Sequence, residues 1–204
     1  TWCFGHMFEQ AEPDEYTHEN VPRNTNGKKI WRVDELPIIP KNWILRPKIE
    51  AKKQLALIGK LIKEAKEIVN AGDPDREGQL LVDEILEHFH NTKPVRRFWV
   101  SAQDSVSIKR GLDALTENGR YRGWANAARG RQWADWLIGM NLSRAYTLRA
   151  QRGGSQALLT VGRVQTPTLA LVVRRDREIE AFKPAPYHTL LAEMLPLNNC
   201  KRSP

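Results

Sequence analysis

The stretch that most constrains this chain is Asp73-Pro74-Asp75-Arg76-Glu77-Gly78, which sets three carboxylates within five residues. Its flanks fix its context. Residues 67–72 are short, partly β-branched and bounded by Gly72, which predicts a buried strand. Residues 76–89 carry Leu80, Leu81, Ile85 and Leu86 at helical spacing, which predicts an amphipathic helix with those side chains inward. Upstream, residues 48–70 read as a helix. There Leu55, Leu57, Ile58, Leu61, Ile62, Ala65 and Ile68 recur every three or four positions with lysines between, so the end of this helix competes with the strand. Arg97-Phe98-Trp99-Val100 reads as a second strand. Helix, strand, helix, strand predicts a parallel α/β sheet with flanking helices.

A bend at the end of such a strand is where α/β sheets gather ligands. Asp73 and Asp75, being alternate residues, can project the same way, and Glu77 falls in the first helical turn. Carboxylates this close repel unless a cation sits among them. Hard oxygen donors suit Mg²⁺, which keeps several waters and works with substrate phosphates. Gly78 leaves room for close approach of a backbone or a phosphate. The same residues also read as a capped turn, with Asp75 as the helix N-cap and the acidic residues favoured by the helix dipole.

Residues 1–47 look irregular. Trp2, Cys3 and Phe4 could end a strand, and Gly5 turns the chain. Pro13, Pro22, Asn24, Asn26 and Gly27 mark loops, and Ile30, Trp31, Val33 and Leu36 with Pro37 and Pro40 read as an extended stretch. The second half changes class. Ser105 is placed to cap a helix reaching Leu115. A long helix over about 124–150 carries Trp133, Trp136, Leu137, Met140 and Leu142 on its apolar side and ends at Gly153-Gly154. A further helix spans about 164–182 before Pro184 and Pro186. Residues 187–194 read as a strand, and the tail from Leu195 has no pattern.

Charge follows this division. The formal net charge is +8. Residues 105–183 hold 14 Lys and Arg against 6 Asp and Glu, and the two signs balance elsewhere. Such an Arg-rich segment fits either a phosphate backbone or a solvated basic face. Gly162 precedes a helix, so its backbone N–H groups can face a phosphate. Arg163 can make two hydrogen bonds to phosphate oxygens, and Gln165 and Thr166 add neutral donors that fix register without reading a base. Arg131 and Asp135 are i, i+4 partners, so Asp135 either orients an arginine that meets a backbone or is simply structural. Trp133 and Trp136 fit the core better than base stacking. Arg144 and Arg149 read as solvated charges, and Arg174, Arg175 and Arg177 as pairs with Asp176, Glu178 and Glu180.

Hydrophobic residues make up 41% of the chain. No run approaches the roughly 20 apolar residues of a spanning helix. The opening Thr-Trp-Cys-Phe-Gly-His has no signal-peptide pattern. It also lacks a Met and reads as mid-strand, which suggests that the protein's own N-terminus lies upstream. Cys3 and Cys200 are too few for a disulfide framework, and a reducing cytoplasmic setting is expected.

Two sets of residues carry a family resemblance. Ala71-Gly72-Asp73-Pro74-Asp75-Arg76-Glu77-Gly78-Gln79 resembles the Asp-x-Asp-x-Glu-Gly turn of Toprim domains, a fold shared by topoisomerases, bacterial primases and some nucleases. With Pro and Arg in its gaps it is most similar to the type IA DNA topoisomerases. Ala134-Asp135-Trp136-Leu137-Ile138-Gly139-Met140-Asn141-Leu142-Ser143-Arg144-Ala145-Tyr146-Thr147 resembles the topoisomerase III pattern. So does Thr160-Val161-Gly162-Arg163-Val164-Gln165-Thr166-Pro167-Thr168 with Leu171-Val172-Val173-Arg174-Arg175-Asp176. Gly5-His6 is similar to a Gly-His pair that lies near the bound strand in that family, although a lone His is more often structural.

The resemblance covers roughly residues 1–192. It implies an α/β Toprim domain over residues 1–104, lacking its N-terminal strand. A mostly α-helical domain binding single-stranded DNA would follow over residues 105–186, with residues 187–204 starting a further domain or ending as a truncated tail. It implies Mg²⁺ on Asp73, Asp75 and Glu77, and single-stranded DNA on His6, Arg131, Asp135, Arg163, Gln165 and Thr166. The family cuts one strand with a Tyr that becomes linked to a 5′ phosphate. Tyr16, Tyr121, Tyr146 and Tyr187 are the four present, and none sits in the family's Tyr-Pro-Arg-Ser setting. The family's Glu-Lys pair in its first strand is absent as well. The complete protein is then expected to relax and unlink DNA without ATP, and this chain to bind DNA and Mg²⁺ without cutting. Another Toprim protein, primase or nuclease-like, and a non-catalytic DNA-binding module are the alternatives.

Overall fold

The computed structural model describes residues 1–193. They form two compact units, Thr1–Gln165 and a second that begins at Thr166. In the first unit, strand β1 (Phe8–Gln10) pairs antiparallel with β2 (Leu45–Pro47), Phe8 opposite Pro47. Helix α1 (Lys52–Glu64) follows, then β3 (Ile68–Asn70), α2 (Arg76–His88) and β4 (Val95–Arg97). The expected helix–strand–helix–strand order is therefore present, and β3 and β4 pair in parallel with Ile68 opposite Val95. Helix α1 is shorter than expected and leaves the chain free to extend into β3. The β4 strand lies two residues earlier than Arg97-Phe98-Trp99-Val100 suggests, because ladder pairing with β3 outweighs the aromatic run.

One strand has no counterpart in the sequence reading. After α3 (Ser105–Asp113), the two-residue β5 (Thr116–Glu117) pairs antiparallel with β4, so the sheet has the mixed order β3-β4-β5. Helix α3 is capped by Asp104, not Ser105: the Asp104 carboxylate accepts from the N–H groups of Val106 and Ser107 at 3.1 and 3.0 Å. Asp and Ser are comparable caps, and the residue one step earlier has the extended backbone a cap needs. Helix α4 (Arg122–Arg152) runs 31 residues to the expected break at Gly153.

The α1 stripe packs as its spacing demands. Leu55 and Ile58 join Met7, Phe8, Ala51 and Ile85 in one buried cluster, with Cys3, Ile62 and Phe89 against it. The C-terminus of α1 is closed by Lys93, whose ammonium donates to the carbonyls of Ile62, Lys63 and Ala65 at 2.7, 2.5 and 2.5 Å. A cation there satisfies orphan carbonyls and complements the helix dipole. Helices α2 and α4 meet through small residues: Ala125 and Ala128 pack on Leu80. Methyl-sized side chains let the two helices approach, and this contact brings α4 to the acidic bend.

The second unit contains most of α5 (Gln165–Glu180). Leu169, Leu171, Val172, Val173 and Ile179 remain exposed on it, and Arg175 pairs with Glu178 at 3.2 Å. Residues 187–193 form no strand, contrary to expectation; Met194 and the tail lie outside the described residues.

Candidate metal and nucleic-acid site

The acidic bend is shaped by backbone proximity. Asn70 ends β3 and its side-chain oxygen accepts from the Gly72 N–H at 3.0 Å. The Asp73 carbonyl then accepts from the Asp75 N–H at 2.8 Å. Asp75 is the N-cap of α2, its carboxylate accepting from the Gly78 N–H at 2.7 Å. A Cβ at Gly72 would lie 2.5 Å from the Gly78 carbonyl oxygen, and one at Gly78 would lie 2.4 Å from that of Asp73. Both positions therefore require glycine for steric reasons, and the chain folds back on the start of the helix. Asp73 and Asp75 are exposed at this bend.

Glu77 takes a different direction from the one expected. Its carboxylate accepts from Arg131 on α4 at 3.1 Å and lies 3.5 Å from His6 Nε2. His6 Nδ1 in turn lies 3.5 Å from the buried Glu84 and 3.5 Å from Gln132 Nε2. The hydrogen bond to Glu84 raises the His6 pKa above its ordinary value against the opposing effect of burial, and the charges of Glu84 and Glu77 add to the rise. Among the described residues no three His, Cys, Asp or Glu side chains gather closely enough to hold a metal ion. The donor set nonetheless fits Mg²⁺, which is commonly bound through one or two carboxylates completed by water and phosphate. Asp73 and Asp75 are the two exposed carboxylates at the bend.

From Glu77 the charges continue along α4. Arg131 lies 3.8 Å from Asp135, the i, i+4 pair foreseen from spacing, and Asp135 accepts from Arg163 Nε at 2.7 Å. Glu84, His6, Glu77, Arg131, Asp135 and Arg163 thus form one continuous chain of contacts, alternating in charge when His6 is protonated. Arg163 reaches it because residues 155–163 lie along α4 as a strap. Thr147 exchanges two hydrogen bonds with Leu159, at 2.9 and 3.2 Å, and Ser143 does the same with Val161, at 2.8 and 3.4 Å. Four residues of helix and two of extended chain both advance about 6 Å, so the hydroxyls match alternate peptides. Gln165 donates to the Thr160 hydroxyl at 2.9 Å. Thr166 belongs to the second unit.

Of the two tryptophans on α4's apolar side, Trp136 is core and Trp133 is half-buried. Trp136 is buried and donates to the Ala11 carbonyl at 3.2 Å. Trp133 stacks on Trp43, their ring centroids 5.1 Å apart and planes 3° from parallel. Arg144 is a correction. It is not solvated but 6% exposed, pairs with Asp14 at 3.0 Å and lies over Trp31 at 4.9 Å.

Sequence reasoning missed the polar layer beneath the bend. Arg97 is fully buried at the end of β4, with Asn70 and Gln79 beside it. Gln79 donates to Asp83 at 3.0 Å and to Asn118 at 2.9 Å, and Asn70 donates to Asn118 at 3.0 Å. Burial lowers the Arg97 pKa from its ordinary value, and the nearby Tyr121, Asp83, Asp73 and Asp75 oppose that. The available signal was an arginine opening the otherwise apolar run Arg97-Phe98-Trp99-Val100.

Comparison with known proteins matches two parts of the chain to two families. Residues 1–102 match the Toprim domain family, and residues 120–202 match a family described as DNA topoisomerase. DNA topoisomerase 3 of Vibrio cholerae is 47% identical over 203 residues, 98% of this chain and 30% of that protein. The proteins of the same name from Pasteurella multocida and Haemophilus influenzae are 44% and 43% identical over 95% and 100% of this chain. The chain spans about 30% of the length of these relatives.

Proposed function

Since this chain belongs to the type IA DNA topoisomerases of the topoisomerase III kind, we propose that it forms the part that holds Mg²⁺ and one DNA strand at the cleavage centre. The complete protein would relax and unlink DNA by cutting and resealing one strand, without ATP, through a Tyr outside this chain. The observation that carries this reading is the continuous run of charges from the acidic bend to Arg163.

Asp73 and Asp75 would hold the ion, while Glu77 stays paired with Arg131. Mg²⁺ when bound there supplies positive charge to phosphate oxygens. The chain's own side chains position the strand. Arg131 and Arg163 have more N–H donors than their carboxylate partners use, so each can take a phosphate oxygen while Asp135 and Glu77 keep the guanidinium in place. Gln165 extends the track with a neutral donor, and His6 can hold a proton at Nε2 toward Glu77 or toward a phosphate. None of these groups reads a base, which suits an enzyme that acts on single-stranded DNA of many sequences. We assign residues 1–104 to the Toprim part and 105–186 to the strand-holding part. Among the described residues no helix is long and apolar enough to cross a membrane, and the proposed setting is the bacterial cytoplasm, on nucleoid or plasmid DNA.

Fluorescence anisotropy of a labelled oligonucleotide tests this. The chain should bind single-stranded DNA more tightly in Mg²⁺ than in EDTA, and Asp73→Ala with Asp75→Ala should abolish the difference. A retained Mg²⁺ effect in the double variant would sink the metal assignment.

A further inference from the structure

We propose that Arg97 is the positioning residue of the acidic bend: its buried guanidinium fixes the direction in which Asp73 presents its carboxylate. This rests on the reading of Asp73 and Asp75 as the Mg²⁺ ligands and extends it to a residue outside the motif.

Arg97 Nη2 donates to the Asp73 carbonyl at 2.7 Å, and Nη1 donates to the Gly72 carbonyl at 2.8 Å. Those oxygens belong to the two peptide groups on either side of the Asp73 Cα. Holding both planes fixes the φ and ψ of Asp73, and with them the direction of its Cα–Cβ bond. Nη1 also donates to the carbonyls of Asn70 at 3.0 Å and Phe98 at 2.7 Å, and meets the Asn70 side-chain oxygen at 3.4 Å. The bend is thereby tied to the ends of both parallel strands. The guanidinium lies 4.7 Å from the Trp99 ring, which stacks on Tyr121 with centroids 4.6 Å apart. The cation therefore has an aromatic floor and backbone oxygens around it, and no carboxylate hydrogen-bonds to it among the described contacts.

A charge buried in this way is an expensive means of filling space, and an apolar side chain would pack at lower cost. What arginine adds is its planar fork, able to engage several oxygens at fixed angles.

Mn²⁺ binding to the 204-residue chain, followed by electron paramagnetic resonance, separates positioning from bulk stability. Arg97→Lys keeps the charge and loses the fork. It should weaken Mn²⁺ binding about tenfold, the usual scale for groups that orient metal ligands, at a temperature where circular dichroism shows it fully folded. A residue that served stability alone would lower the melting temperature and leave that affinity unchanged. Should Arg97→Lys not fold, Trp99→Leu removes the ring beneath the guanidinium and should weaken Mn²⁺ binding in the same direction. Unchanged Mn²⁺ affinity in whichever variant folds overturns the proposal. Asp73→Asn with Asp75→Asn is the companion. If that pair binds Mn²⁺ as the wild type does, the metal reading fails and the Arg97 proposal with it. If the pair loses Mn²⁺ while Arg97→Lys retains it, only the positioning role is lost.

Discussion

Gly78 shows how little freedom single residues have at the bend. A methyl group there would meet the Asp73 carbonyl oxygen at 2.4 Å, and what it meets is Asp73 backbone, which cannot swing aside as a flexible side chain would. Gly78→Ala is expected to destabilise the chain by about 1–3 kcal/mol, the usual range for overpacking, read as a lower urea midpoint. His6 gives a pH signature. Its folded pKa is raised by Glu84 and Glu77. The stability it contributes is therefore fully present below the unfolded histidine value of about 6.5 and is lost as pH rises through the folded value. Wild type should exceed His6→Asn in unfolding midpoint at pH 6 by more than it does at pH 8.5; an equal gap at both would dismiss the Glu84 contact. Asp75 as N-cap was legible from local order alone. Arg144 and Arg97 were not, since their burial depends on partners far along the chain, such as Asp14 for Arg144 and Gly72 for Arg97.

At the level of elements, hydrophobic spacing located α1, α2 and the long α4 because amphipathic periodicity is a local signal. Short strands carry less of it. The β5 strand is two residues long and exists because β4 offers it an edge, and no pattern in Thr116-Glu117 announces it. The strap on α4 was equally hidden, because Ser143 and Thr147 acquire their role only when residues 155–163 lie against them. Replacing both by Ala should leave the N–H groups of Leu159 and Val161 unpaired at the helix surface. Their amide exchange should quicken, and binding of single-stranded DNA should weaken as Arg163 loses its support. The α2–α4 contact makes a second demand. Ala128→Leu should destabilise by about 1–3 kcal/mol, because the helices close over Leu80 through methyl groups. Thermal unfolding followed at 222 nm would register it.

For the molecule as a whole, the positive excess sits in the half that packs α4 against the acidic bend. Arg163→Glu is expected to weaken single-stranded DNA binding and lower the slope of log affinity against log salt by about one unit. An unchanged slope would place the DNA track on another surface. The chain alone should leave negatively supercoiled plasmid unrelaxed, because the proposed nucleophilic Tyr lies outside it. The parallel pair and its acidic bend could be read from sequence; the tie between bend and basic strap could not, because it runs through Glu77 and its partners on β1's approach and on α4. The face-to-face pair of Trp43 and Trp133 has a practical corollary. Two indole chromophores held parallel and in close contact couple their electronic transitions, so the ultraviolet dichroism of the chain should carry an excitonic band. That band would weaken in Trp43→Phe, leaving the contribution of the Trp99–Trp124 pair, and its growth would report, during refolding, the docking of the N-terminal loops on the long helix.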